Sequence, residues 1–187
     1  MKKLGSIGVV WAVIVTAFQL AGFKDANHSP SVPAPSVSGA TAEVLGVYFT
    51  PPAGAAQAIV QAVDASRQEV LVQAYGFTHN AIAQSLLRAQ GRGVQVRVLL
   101  DAKSDKTNRY VIDLFERGQL PMRGDARHAI AYNKVMVIDE NVVITGSFNF
   151  TNSAETRNAE NFLILRSAAL AQRYKEEWLR HWAHAEP

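Results

Sequence analysis

From about residue 43 onward, the pattern of hydrophobic and polar positions defines two types of segment, which alternate along the chain. Short β-rich apolar runs predict strands at 43–49, 69–77, 94–100 and 158–165. Between them, apolar residues that recur every three or four positions predict helices at 53–66, 80–90, 107–117 and 169–184. Strands and helices in this rhythm predict an α/β sandwich, with a mostly parallel or mixed sheet flanked by helices.

A hairpin is predicted between residues 132 and 149, where two runs of alternating residues flank a polar segment at 139–141. Gly146 marks a point where a strand bends or where something approaches its backbone. The alternation allows three polar side chains to converge, namely Lys134, Ser147 and Asn149. A cation, a hydroxyl and an amide in one place suit the binding of a phosphate group.

The hairpin resembles the signature of the phospholipase D superfamily. That signature is His-x-Lys, four residues, Asp, then six residues and Gly-Ser-x-x-Asn or a close variant. The matching residues are Lys134, Asp139, Gly146, Ser147 and Asn149. The string Gly-Ser-Phe-Asn-Phe-Thr is most similar to the small, one-motif bacterial (Nuc-like) endonucleases of this superfamily. One position departs from the signature, because Tyr132 stands where the family has its histidine.

This resemblance implies a phospholipase D-like domain over residues 42–187 that hydrolyses phosphodiesters without a metal ion or another cofactor. In the family, the motif histidine attacks phosphorus and a second histidine, from a symmetry-related subunit, protonates the leaving group. The expected assembly is therefore a homodimer. The expected substrate is nucleic acid, and phospholipid is the alternative.

The resemblance also implies the roles of individual residues. Lys134, Ser147 and Asn149 would bind the phosphate, and Glu160 would orient the catalytic side chain at position 132. Asp139 belongs to the catalytic motif, yet it lies on the opposite strand face from Lys134, which indicates a structural role at the turn.

Tyr132 is poorly suited to the role of the histidine. A phenol has a reference pKa near 10, and a neighbouring carboxylate would raise that pKa further. His128 cannot replace it, because four residues of extended chain span roughly 13 Å. Two functions therefore remain open. One is an exported phosphodiesterase, preferably an endonuclease, whose activity Tyr132 impairs, and the other is a catalytically inactive phosphate or nucleic-acid binder.

The first residues of the chain have the order of a secretory signal. Two lysines precede an apolar run from residue 4 to residue 22, and this run approaches the length of a membrane span. We therefore expect a signal peptide or an N-terminal membrane anchor at 1–22, followed by a Pro/Ser-rich linker at 23–41. The expected location is periplasmic or secreted, or anchored in the inner membrane through this segment alone.

Charge does not decide between an enzyme and a binder. The chain has a formal net charge of +3, but from Glu43 onward 16 Lys and Arg face 15 Asp and Glu. The absence of cysteine excludes disulfides and thiolate metal sites. His181 and His184 have a helical i, i+3 spacing that can hold a metal ion. Because no third ligand is apparent in the sequence, we predict no metal site.

Overall fold

Seven strands form a single sheet in a computed structural model, which describes residues 40–52 and 54–187. The strands are β1 (Glu43–Thr50), β2 (Glu69–Ala74), β3 (Gln95–Asp101), β4 (Met122–Asp125), β5 (Lys134–Ile138), β6 (Val142–Gly146) and β7 (Glu160–Arg166). Their order across the sheet is β1-β7-β6-β5-β2-β3-β4. Only β4 has no counterpart among the strands expected from the pattern.

The sheet is mixed, and its parallel part is confined to one side. Strand β3 pairs in parallel with β2 and with β4, whereas the other four pairings are antiparallel. The change of direction occurs at β5, which runs antiparallel to β2 and then returns through the hairpin to β6. The expected α/β architecture with a mixed sheet is confirmed, and parallel pairing is the minority.

Helices cover both faces of this sheet. They are α1 (Ala55–Asp64), α2 (Asn80–Gly91), α3 (Asp105–Arg117), α4 (Asn152–Thr156) and α5 (Ala168–His184). Helices α1 to α4 contribute to one apolar core, and α5 packs against the other face. All four predicted helices are present, with ends that differ by up to two residues, and the short α4 is additional.

Strand β2 lies at the centre of both cores. All of its residues are buried; Val70 and Val72 point toward α1 to α3, and Leu71 points toward α5. A strand buried on both faces reads as a continuous apolar run, as this one does. The indole Nε1 of Trp178 donates a hydrogen bond to the carbonyl oxygen of Val72 at 2.8 Å, which fixes α5 to the sheet.

The turn of the hairpin is tied to the start of β2. Asp139 and Glu140 have φ angles of 50° and 53°, and two successive positive φ values suit a tight turn between twisted strands. The Asp139 carboxylate accepts hydrogen bonds from the backbone N–H groups of residues 67, 68 and 69, at 2.9, 2.8 and 3.0 Å. Asp139 thus has the structural role that its strand face indicated.

The N-terminal expectations concern residues that are mostly outside the described part of the chain. This applies to the signal peptide or anchor at 1–22 and to the linker at 23–41, of which only residues 40 and 41 are described. Within residues 40–52 and 54–187, no helix is long and apolar enough to cross a membrane.

Gly146 is required because the backbone of β7 approaches it closely. An added Cβ would overlap the Asn161 carbonyl oxygen and lie 2.5 Å from Cα of Phe162. We expect Gly146→Ala to lower the free energy of unfolding by about 2 kcal/mol in urea denaturation. Gly91→Ala is the matched control, since a Cβ there meets nothing within 4 Å and a helix favours Ala over Gly. Equal losses in both variants would contradict this explanation.

Candidate functional site

A pocket of about 230 Å³ opens at the end of the sheet where β5 begins and β6 ends. Strand β7 begins at the same end of the sheet, so the ends of three neighbouring strands meet there. The residues that line the pocket are Tyr132, Lys134, Gly146, Ser147, Asn149 and Glu160. The structure therefore brings together all the site residues expected from the sequence except Asp139.

Lys134 supplies a positive charge at the pocket wall. The residue is buried, and its Nζ donates a hydrogen bond to the carbonyl oxygen of Tyr132 at 2.9 Å. Burial lowers the pKa of Lys134 below its ordinary value, while the negative charge of Glu160 opposes this shift. A cation with little access to water attracts an anionic ligand more strongly than an exposed lysine does.

Ser147 and Glu160, which also line the pocket, form a hydrogen-bonded pair. The Ser147 hydroxyl donates to Glu160 Oε2 at 2.6 Å, and it accepts from the backbone N–H of Asn161 at 3.1 Å. The side-chain amide of Asn158 donates to the other carboxylate oxygen at 3.1 Å. Since the hydroxyl proton is engaged by Glu160, Ser147 must rotate its hydroxyl before it can donate to a phosphate.

The amide of Asn149 is half-buried and has a free polar atom. Its Oδ1 is buried and has no hydrogen-bond partner within the described ranges. A half-turn of an amide exchanges its oxygen and nitrogen, so this side chain can also present N–H donors to an anion. An unsatisfied buried polar atom in a pocket is a group that a ligand can satisfy.

Tyr132 covers Lys134 at the mouth of the pocket. Its ring centroid lies 3.1 Å from the lysine Nζ and 4.7 Å from the centroid of the Tyr75 ring. The residue is nevertheless 62% exposed. Among the hydrogen bonds of the described residues, none joins the Tyr132 hydroxyl to Glu160. The carboxylate therefore holds Ser147, and it does not orient Tyr132 in this arrangement.

Comparison with known proteins establishes the family. A sequence model described as "Cardiolipin synthase, PLD-like domain" matches residues 59–182. The chain belongs to the phospholipase D superfamily. It is 37% identical to a phospholipase D of Rickettsia bellii over 150 residues. The aligned segment covers 80% of this chain and 75% of that relative. The relatives that the chain matches in this family include phosphodiesterases, which are hydrolases.

Two further comparisons agree with this family. The chain is similar to a mitochondrial cardiolipin hydrolase of Mus musculus, at 28% identity over 129 residues, or 69% of this chain and 58% of that protein. Its fold matches the crystal structure of the phospholipase D family member Nuc from Salmonella typhimurium with a TM-score of 0.74. Identity there is 30%, and the match covers 78% of this chain and 97% of Nuc. The resemblance to Nuc-like members is thereby confirmed.

Asp139 and His128 lie apart from the pocket of this phospholipase D-like domain. Asp139 is at the opposite end of β5, where its carboxylate is occupied by backbone N–H groups. The His128 ring pairs with Asp125 at 2.9 Å and stacks on His181 with centroids 4.6 Å apart. His128 therefore does not take the place of a catalytic histidine beside Lys134.

Sequence reasoning missed a cluster formed by Asp125, His128, His181 and His184, here called the Asp125 cluster. The expectation that His181 and His184 have no third partner is wrong, because β4 and the following loop bring two more side chains to them. Burial disfavours the charged form of the carboxylate. Hydrogen bonds to His181 and His128 outweigh burial and hold the pKa of Asp125 well below its usual range.

From the composition of the pocket we expect Lys134 to contribute most of the affinity for an anion. We expect Lys134→Met, which keeps an apolar stem of similar length but removes the charge, to weaken binding of inorganic phosphate at least about 10-fold in calorimetric titration. Lys106→Met is the control, because Lys106 is exposed on α3 and distant in the chain from the pocket residues. Equal affinities for phosphate in the two variants would show that Lys134 is not the anion-binding group.

Proposed function

We propose that this chain is an exported phosphodiesterase, an endonuclease that hydrolyses nucleic acid as a homodimer and uses no metal ion in its pocket. The observation that carries the proposal is the convergence of Lys134, Ser147, Asn149 and Glu160 in one pocket. Lys134 and Asn149 supply the donors that a phosphodiester requires, since its non-bridging oxygens carry the negative charge that grows during displacement at phosphorus. Ser147 can add a third donor once its hydroxyl turns away from Glu160, which accepts hydrogen bonds and cannot donate them.

The pocket suits a phosphate held between Lys134 and Asn149. The ammonium group of Lys134 neutralises charge on one non-bridging oxygen, and the amide of Asn149 donates to another. Glu160, fixed by Ser147 and by Asn158, adds a negative charge near the lysine that keeps it protonated. This arrangement binds and polarises a phosphodiester before any covalent step occurs.

Tyr132 limits the covalent step. Attack by its oxygen would form a phosphotyrosine, release the phenolic proton and expel the leaving oxygen, which itself needs a proton. Among the described residues that line the pocket there is no histidine to transfer these protons near neutral pH. We therefore propose a slow enzyme, whose turnover is limited by proton transfer.

A second candidate function is phosphate or nucleic-acid binding without turnover. Its support is the position of the Tyr132 ring, which stacks over the ammonium group of Lys134 and forms no hydrogen bond with Glu160. In this case Lys134 and Asn149 still hold the phosphate, and Tyr132 acts as an aromatic contact for a base or sugar. Phospholipid is the alternative substrate of the enzyme, in line with the names of the relatives from Rickettsia bellii and Mus musculus.

Exchange of Tyr132 for histidine separates the two functions. We expect Tyr132→His to raise the rate of cleavage of a chromogenic phosphodiester and of plasmid DNA at least about 100-fold, because an imidazole supplies nucleophile and acid–base catalysis together. The full chain is assayed in detergent, and its rate should not change when Mg²⁺ is added. Tyr110→His, at an exposed position of α3, should leave the rate unchanged.

The outcomes distinguish an enzyme from a binder. Measurable cleavage by the native chain, enhanced in Tyr132→His, supports the slow enzyme. Cleavage only by the histidine variant supports the binder, and equal rates in both chains overturn the assignment of Tyr132 as the limiting residue. A gel shift across a salt titration tests DNA binding itself, because phosphate contacts make log affinity fall linearly with log salt.

The homodimer and the export are tested separately from catalysis. The sequence has one copy of the motif, so two chains would be needed to provide two catalytic groups at one phosphate. We expect sedimentation to give twice the monomer mass of 20.4 kDa, less any cleaved leader, after correction for detergent. A monomer with full activity would overturn the dimer. A reporter that is active only outside the cytoplasm, fused after residue 41, tests export.

A further inference from the structure

The Asp125 cluster lies at the end of β4, apart from the phosphodiester pocket. Asp125 is the last residue of β4, and His128 is in the loop that leads to Tyr132. His181 and His184 are in the last turn of α5. One potential ligand atom from each of these four residues lies within 4.8 Å of the other three. We propose that the Asp125 cluster is a structural zinc site.

The donor set is one that Zn²⁺ prefers. Three imidazole nitrogens and one carboxylate oxygen complete a four-coordinate shell, and tetrahedral zinc–nitrogen bonds of about 2.0 to 2.1 Å place neighbouring ligand atoms about 3.3 Å apart. Oxygens of Asp125 lie 2.8 Å from Nδ1 of His181, 2.9 Å from Nδ1 of His128 and 3.4 Å from Nε2 of His184. The first two contacts are hydrogen bonds to Oδ2 and the third is to Oδ1, so a bound ion would replace the hydrogen bonds and move those atoms slightly apart.

Burial and an unsatisfied nitrogen support a cation at this place. The Asp125 side chain has no exposed surface, and those of His181 and His184 are 11% and 20% exposed. Nε2 of His184 is buried and has no hydrogen-bond partner within the described ranges, although it faces the carboxylate. A bound cation would satisfy both the ring nitrogen and the buried carboxylate.

Neighbouring groups hold the ligands in place. The second ring nitrogen of His181 lies 3.1 Å from Oε1 of Glu177, an arrangement typical of carboxylates that orient a metal-bound imidazole. The Asp125 carboxylate also accepts the backbone N–H of Arg127 at 3.1 Å. Lys103 Nζ donates to the carbonyl oxygens of residues 128 and 129, which fixes the loop that carries His128.

A zinc ion here would tie two segments of the chain together. It would join residues 125–128, at the end of β4 and the start of the following loop, to the last turn of α5, and that loop also carries Tyr132. Four protein ligands leave no open coordination position, so the ion would stabilise the fold and would not activate water. Strands β2 and β3 separate β4 from β5, a distance of roughly 14 Å across the sheet. The site therefore shares no residue with the phosphodiester pocket, although the loop that carries His128 continues to Tyr132.

Metal binding is measured on the full chain after removal of bound metal with a chelator. We expect Co²⁺ to give the intense visible absorption of a tetrahedral site, with one ion per chain, and Zn²⁺ to displace it. At about 100 times its dissociation constant, Zn²⁺ should raise the thermal midpoint by about 5 °C or more. Elemental analysis of the displaced sample gives the zinc content without any assay of hydrolysis.

Variants assign the metal to this cluster. His128→Gln and His184→Gln should each weaken Co²⁺ and Zn²⁺ binding at least about 10-fold. His79→Gln, which changes a histidine at the start of α2, should leave metal affinity unchanged. Both ligand variants lie at the edge of the domain, so they remain informative even where Asp125→Asn fails to fold. Absence of tetrahedral absorption, or unchanged affinity in both ligand variants, would show that the cluster is only a hydrogen-bonded histidine–aspartate network.

Discussion

Three hydrogen bonds to the carboxylate of Asp139 fix the register of strand β5, and the pocket depends on that register. They join the turn of the hairpin to residues 67–69, where β2 begins, and so determine how β5 pairs with β2. With that pairing, Lys134 lies opposite Ala74, at the end of the sheet where the pocket opens. A slip of one residue would turn every β5 side chain to the other face and direct Lys134 toward α5. Asp139 thus contributes to the pocket from the far end of the strand.

The positive charge of Lys134 depends on its immediate neighbours. Burial favours the neutral amine, whereas the Tyr132 carbonyl, the Tyr132 ring and the charge of Glu160 all favour the ammonium. The same ring that stabilises the cation also stands between it and solvent. Tyr132 therefore has two opposite effects on an incoming phosphate, since it preserves the charge that attracts the phosphate and occupies part of its path.

The parts of the site that the sequence predicted are those close together in the chain. The hairpin and the convergence of Lys134, Ser147 and Asn149 follow from local alternation and a short turn. Glu160 came only from the family resemblance, because no local pattern shows that β7 pairs with β6. The alternation of helices and strands also suggested more parallel pairing than is present, since β5 runs antiparallel to β2 and every pairing from there to β1 is antiparallel.

The Asp125 cluster could not be predicted because its members are far apart in the chain. Its members come from two segments, residues 125–128 and 181–184, and Asp125 and His181 are separated by 56 residues. Strand β4, with the sequence Met-Arg-Gly-Asp, is too short and too polar to be predicted from apolar alternation. The i, i+3 pair in α5 gave a local signal, but its partners become apparent only when the helix packs across the end of the sheet.

Gly146 gives the pocket an unusual floor. Because this residue lines the pocket and the β7 backbone lies directly behind it, the floor is main chain without a side chain of its own. A side chain at position 146 would displace β7, whereas the exposed Tyr132 at the wall can be exchanged without displacing a neighbouring strand. During evolution, substrate preference in this domain can therefore change by exchange of wall residues, while the depth of the pocket stays constant.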